Sequence, residues 1–244
     1  GASVTAGSSD ASLAAGETVL DGAILYVAPT TTTSVNRFTI ASGQLDLIGG
    51  TILLDSGSTA TWSGGTISGD GTGFVTVAPL AEMVLQGGTK FFGDFTLENY
   101  GTTTWLSGDI EAIGGLGSIV NYGTFDVQAD VSWYSGLSIS QHFQNISDTF
   151  YQGLLRKSVS TGVASFSALD LTNGSSLEIQ QGALDVASYS GTGAVSIASG
   201  AAFLIAGVPY QPLTPQVFWD GGGGDTSWFT AANWSTDLLP SDSD

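Results

Sequence analysis

The 244-residue chain has no cysteine, so it can build neither disulfides nor thiolate metal sites. Positive charge is scarce: 4 Lys and Arg stand against 22 Asp and Glu, a formal net charge of −18. Nucleic acids and anionic membrane surfaces are gripped with Lys and Arg, so neither is expected as a partner. The acidic excess instead draws cations and keeps the chain in solution. There is one histidine, His142, with no Ser/His/Asp order and no histidine cluster near it. No apolar run reaches the roughly 18 residues of a membrane-spanning helix, so insertion is not expected. No leader-like stretch opens the sequence at Gly1, as expected of an already processed, exported chain.

Glycine, in contrast, is abundant, with 35 residues, about twice ordinary usage. Hydrophobic residues make up 42% of the chain, enough for a sizeable folded body. The pattern that organises them runs from Asn99 to Gln128. Asn-Tyr-Gly-Thr begins at Asn99 and again at Asn121, 22 residues later. A fixed period of this size marks a repeat architecture, in which each unit buries its apolar face against its neighbours. Apolar or aromatic residues alternate with Thr, Asp and Gln, and glycine marks the corners, so the units are strands. The pattern predicts an all-β fold, a parallel β-solenoid (β-helix) with about 22 residues per coil.

Other stretches repeat in kind. Gly-x-Leu-Asp-aliphatic occurs at Gly43 to Leu47 and again at Gly182 to Val186. Thr59-Ala-Thr-Trp-Ser-Gly-Gly-Thr-Ile matches Thr102-Thr-Thr-Trp-Leu-Ser-Gly-Asp-Ile with one insertion. Trp62 and Trp105 are thus close to two periods apart, a spacing that propeller blades also show. The half-period set by Asn99 and Asn121 favours the solenoid. Thr30 to Thr33 reads as an exposed excursion, and Tyr151 to Lys157, with its Arg156-Lys157 pair, as an inserted corner loop. The expected organisation is a flexible lead-in or cap over 1–19, the β-helix over 20–207 and a proline-rich linker over 208–217. Residues 218–244 then read as the incomplete start of a further module.

These repeats resemble those of large bacterial surface and secreted proteins, the haemagglutinin-like or autotransporter-passenger-like adhesins. The resemblance rests on Asn-x-Gly-Thr, Gly-Thr-Phe-Asp, Trp-Ser-Gly-Gly-x-Ile-Ser-Gly and the Gly-x-Leu-x-aliphatic strands, and covers about Leu20 to Gly207. It implies a right-handed parallel β-helix that serves as a stalk or adhesive surface, and it brings no catalytic residues. The tail, Trp219-Asp-Gly-Gly-Gly-Gly-Asp…Trp228…Asn233-Trp234…Pro240, resembles a motif that opens repeated extracellular modules in such proteins. The chain departs from the pattern at Asn145-Ile-Ser-Asp-Thr and in the insertion before Arg156. The resemblance implies an extracellular or cell-surface location, with other copies or flanking modules of the same protein as partners.

Four asparagines, Asn99, Asn121, Asn145 and Asn173, are the candidates for a structural ladder, since an amide can donate to one coil and accept from the next. Tyr100, Tyr122, Trp62, Trp105 and Trp133 are the candidates for an outward aromatic surface, on which a polysaccharide could stack. Catalysis is not expected. Asp109 and Glu111 have an i, i+2 spacing compatible with glycoside hydrolysis, but any solvated strand face offers such a pair. A carbohydrate-binding or polysaccharide-degrading β-helix is the alternative reading. Calcium is the one cofactor left open, because Asp220 and Asp225 bracket the run Gly221 to Gly224.

Overall fold

In the computed structural model the chain divides into two compact units, Gly1–Tyr210 and Gln211–Asp244. The structure describes residues 16–137, 139–211, 222–224 and 226–234, together with the backbone of 3–6 and 11–12. The first unit is a β-solenoid of about 9 turns, with about 22 residues per turn. Each turn lays down three strands, and each strand pairs in parallel with its equivalent one turn on. Propeller blades pair antiparallel strands within a blade, so this ladder excludes that alternative.

Three faces result. The first stacks Ile24–Val27, Gln44–Leu47, Gly65–Gly69, Lys90–Phe92, Ile110–Ala112 and Trp133–Tyr134. The second includes Phe74–Val77, Thr96–Asn99, Ser118–Asn121 and Gln141–Asn145. The third includes Glu82–Leu85, Thr102–Trp105, Thr124–Val127 and Leu154–Lys157. Inward positions line up as columns. Ala60, Met83, Thr103, Phe125, Leu155 and Leu177 follow one another down the third face, all buried. Because the period along a strand is two, the residues between them point out of the coil, where Asp126 is nevertheless buried and paired with Arg156.

The motif Asn-Tyr-Gly-Thr is explained at the corner between the second and third faces. Asn99 and Asn121 end their strands pointing inward, Tyr100 and Tyr122 turn outward, and Thr102 and Thr124 begin the next face. Glycine is required by close approach. A Cβ on Gly123 would lie 2.2 Å from the Gly101 carbonyl oxygen, and one on Gly101 would lie 2.3 Å from that of Ala81.

Several expectations are corrected. Within the expected lead-in or cap over 1–19, Ser3–Ala6, Ala11–Ser12 and Glu17–Leu20 are strands that pair with Ile24–Val27, Thr33–Ser34 and Arg37–Ile40. Main-chain pairing needs no apolar side chain, so small polar residues can complete a coil. Thr30 to Thr33 is not an exposed excursion. Thr31 and Thr33 are buried, and Thr32–Ile40 is a strand. Residues 154–157 form a strand of the third face rather than a loop, with Arg156 outward and Lys157 buried. The insertion lies just before it, at 146–153. At the other end Val208–Pro209 pairs antiparallel with Leu204–Ile205. The Tyr210 amide donates to the Phe203 carbonyl at 2.8 Å, so these three linker residues close the last coil.

Candidate functional site

The asparagines form a continuous amide ladder. Asn99 Nδ2 donates to Asn121 Oδ1 at 2.7 Å, Asn121 Nδ2 to Asn145 Oδ1 at 2.8 Å, and Asn145 Nδ2 to Asn173 Oδ1 at 2.8 Å. All four are buried. Each Nδ2 also reaches a main-chain carbonyl of the following coil: Thr124 for Asn99, Leu154 for Asn121, Ser176 for Asn145 and Ala194 for Asn173. The ladder therefore ties the second face to the third at each turn from Asn99 to Asn173. It begins where the aliphatic column Val35, Leu54, Val77 ends.

Outside the ladder the tyrosines stack. The rings of Tyr100 and Tyr122 are 4.7 Å apart and within 2° of parallel. Tyr151 packs edge-on, 5.1 Å from Tyr100 and 6.3 Å from Tyr122. Burial, followed by the charge of Glu98, raises the Tyr100 hydroxyl above its ordinary pKa. Tyr151 belongs to the insertion, which is a pinned hairpin. Asp148 Oδ1 accepts the Phe150 and Tyr151 amides at 2.7 Å each, and Ser147 pairs with Gln152. At its tip Phe150 is 86% exposed.

The tryptophans do not join this surface. Trp62, Trp105 and Trp133 are buried in the core. Trp62, Leu85, Trp105 and Val127 form one inward column of the third face, so the rings are in phase with aliphatic residues. Two of their polar ends are served inside the coil: Trp105 Nε1 donates to the Gly108 carbonyl at 2.7 Å and Trp133 Nε1 to Gln141 Oε1 at 3.1 Å, whereas Trp62 Nε1 is buried without a hydrogen-bond partner.

Two lysines are also internal. Lys90 Nζ donates to the carbonyls of Gly88 and Ser107, both at 3.0 Å, and its pKa is pushed down to about 8 by burial against the opposing charge of Asp109. Lys157 stands in the core column between Val127 and Ile179, and its Nζ reaches the Ser160 carbonyl at 2.7 Å and Asp130 at 3.4 Å. Its neighbour Arg156 pairs with Asp126 at 2.7 Å. Burial alone would raise the Asp126 carboxyl, but hydrogen bonds from Arg156 and Gln128 oppose it and the pKa is held low. These cations serve the fold and form no anion-binding cluster.

Asp109 and Glu111 are each tied to a different neighbour. Asp109 lies in the corner before the strand Ile110–Ala112, and its Oδ1 accepts the Ser132 amide at 2.7 Å. Glu111 Oε2 accepts from Tyr134 Oη at 3.3 Å. Among the described residues no three His, Asp or Glu side chains group as a metal site, and no helix is long and apolar enough to cross a membrane.

Asp220 and Asp225, the calcium candidates, lie outside the described residues. The described part of the second unit is held by its Asn-Trp pair. Asn233 Oδ1 accepts the Gly223 amide at 2.8 Å, and Trp234 Nε1 donates to the Trp228 carbonyl at 3.1 Å. The Trp228 and Trp234 rings meet edge to face at 4.9 Å. No family model, no curated protein and no solved structure matches the chain.

Proposed function

We propose that the chain is a structural and adhesive segment of an exported cell-surface or fibre-forming protein, without catalysis of its own. The observation that carries this reading is how the coil interior is used. Buried tryptophans, aliphatic columns and an amide ladder fill it, and the acidic pair Asp109 and Glu111 is engaged in holding corners and side chains. A rigid, laddered body of this kind suits a stalk. The pinned hairpin with Phe150 at its tip, braced through Tyr151 on Tyr100 and Tyr122, suits a contact point. The partners in this reading are other copies or flanking modules of the same surface protein. Polysaccharide binding is a second reading, favoured by the outward aromatic side chains.

An antibody against the purified chain should label intact, unpermeabilised cells of the producing organism. Labelling that appears only after permeabilisation would overturn the surface assignment.

A further inference from the structure

The first face carries an outward row that the amide ladder and the tyrosine corner do not involve. Gln44, Thr66, Phe91, Glu111 and Tyr134 are register partners on successive coils. All five are partly exposed, and the residues beside them in their strands, Leu45, Ile67, Phe92, Ala112 and Trp133, are buried. The row is therefore fixed by the packed columns behind it. Successive parallel strands are about 4.8 Å apart, which puts Phe91 and Tyr134 about 10 Å apart along the solenoid axis. Among the described residues neither ring packs against another aromatic ring, whereas Tyr100 and Tyr122 cover each other's faces.

Between the two rings sits Glu111, oriented by the Tyr134 hydroxyl at 3.3 Å. An ionised carboxylate has room for further donors beyond this one. Toward the N-terminal coils the row continues as uncharged polar groups, with Gln44 Nε2 donating to Ser68 Oγ at 3.1 Å beside Thr66. Apolar ring faces, an acceptor rich in free lone pairs and amide and hydroxyl groups together match a partner made of ring faces edged with hydroxyl donors. The net charge of −18 repels anionic polymers. In an extended β-linked glycan every second sugar presents the same ring face, and a disaccharide repeat is on the scale of two coils.

We propose that Phe91, Glu111 and Tyr134, continued by Thr66 and Gln44, form a binding strip for a neutral β-linked polysaccharide lying along the solenoid axis. Phe91 and Tyr134 would stack on alternate sugars, and Glu111 would accept hydroxyls of the sugar between them. This rests on the second, polysaccharide-binding reading, which it deepens by naming the strip and the class of polymer, and it does not depend on the surface-segment reading.

The test is affinity electrophoresis of the full chain in gels containing hydroxyethyl cellulose, galactomannan or polygalacturonate. At least one of the two neutral polymers should retard the protein, and polygalacturonate should not. Phe91→Ala and Tyr134→Ala should each weaken the retardation about tenfold, the loss of one stacking contact. Tyr122→Ala should leave it unchanged. Thr66→Glu, an outward change that leaves the core untouched, should weaken it as well, so the result does not hang on truncating an aromatic. No retardation by either neutral polymer overturns the strip, even if intact cells are labelled. So does retardation that survives Phe91→Ala, Tyr134→Ala and Thr66→Glu alike.

Discussion

Asn121→Asp should be among the most damaging single-atom changes available in this chain, costing about 4 kcal/mol at neutral pH. Asn121 Nδ2 donates to Asn145 Oδ1 and to the Gly123 and Leu154 carbonyls, and its Oδ1 accepts from Asn99. A carboxylate keeps the acceptor and loses every donation, turning lone pairs on lone pairs in a site with no solvent. The folded state would bind that proton more tightly than the unfolded one, so the variant carboxyl has a raised folded pKa. Its deficit is then smallest below the ordinary aspartate pKa and grows as pH rises through it. Asn121→Ala removes the group without adding charge and should cost about 3 kcal/mol. Tyr122→Ala, next in sequence but outward, should cost about 1 kcal/mol. Urea unfolding of the three variants, with the aspartate variant followed from neutral to acid pH, checks the order. Equal losses at positions 121 and 122 would mean that the ladder is not what joins the coils.

Trp105→Ala should cost about 4 kcal/mol by opening a cavity in the middle of the stack. The side chain is fully buried, lies 5.3 Å from Phe166 at 15° and meets Trp133 edge-on at 6.1 Å. Its neighbours in the column are Leu85 and Val127, and backbone pairing on both sides prevents them from collapsing into the space. The same substitution on an outward aromatic surface would cost little, so thermal or urea unfolding separates the two placements. A loss near 1 kcal/mol would return Trp105 to the surface.

The tryptophans also show what the sequence made legible and what it did not. The 22-residue step from Asn99 to Asn121 could be read because a solenoid converts sequence period directly into spatial stacking. Identical residues at that step share a register, and amide stacking and ring stacking follow from chemistry. Orientation is harder. Trp62 is in phase with Ala60, which points inward, but Trp105 is in phase with Thr103, a polar residue that is nevertheless buried. The alternation that distinguishes inside from outside was blurred there. Lys157 misleads for a related reason: its aliphatic stem fills a core position while the amine turns to Ser160, so a charged letter stands in an apolar column. At the first coil the pairing is made by main chain, to which side-chain patterns are blind. The row through Phe91 and Tyr134 could not be found by motif, since no two of its residues repeat and only the register brings them together.

All of these assignments rest on the coil register, and the absence of native cysteine allows a direct test of it. Thr96 and Ser118 are register partners on adjacent coils of the second face, with their hydroxyl oxygens 3.0 Å apart. Adjacent strands, about 4.8 Å apart, are within the range that a disulfide spans, whereas two coils, about 10 Å, are beyond it. His142 lies in the same column one coil further on. The double variant Thr96→Cys/Ser118→Cys should therefore close an intramolecular disulfide on mild oxidation of the folded protein, read as a faster-migrating monomer on a non-reducing gel. Thr96→Cys/His142→Cys should remain reduced under the same conditions. Failure of the first pair to bridge, or equally ready bridging by the second, would contradict the stacked register.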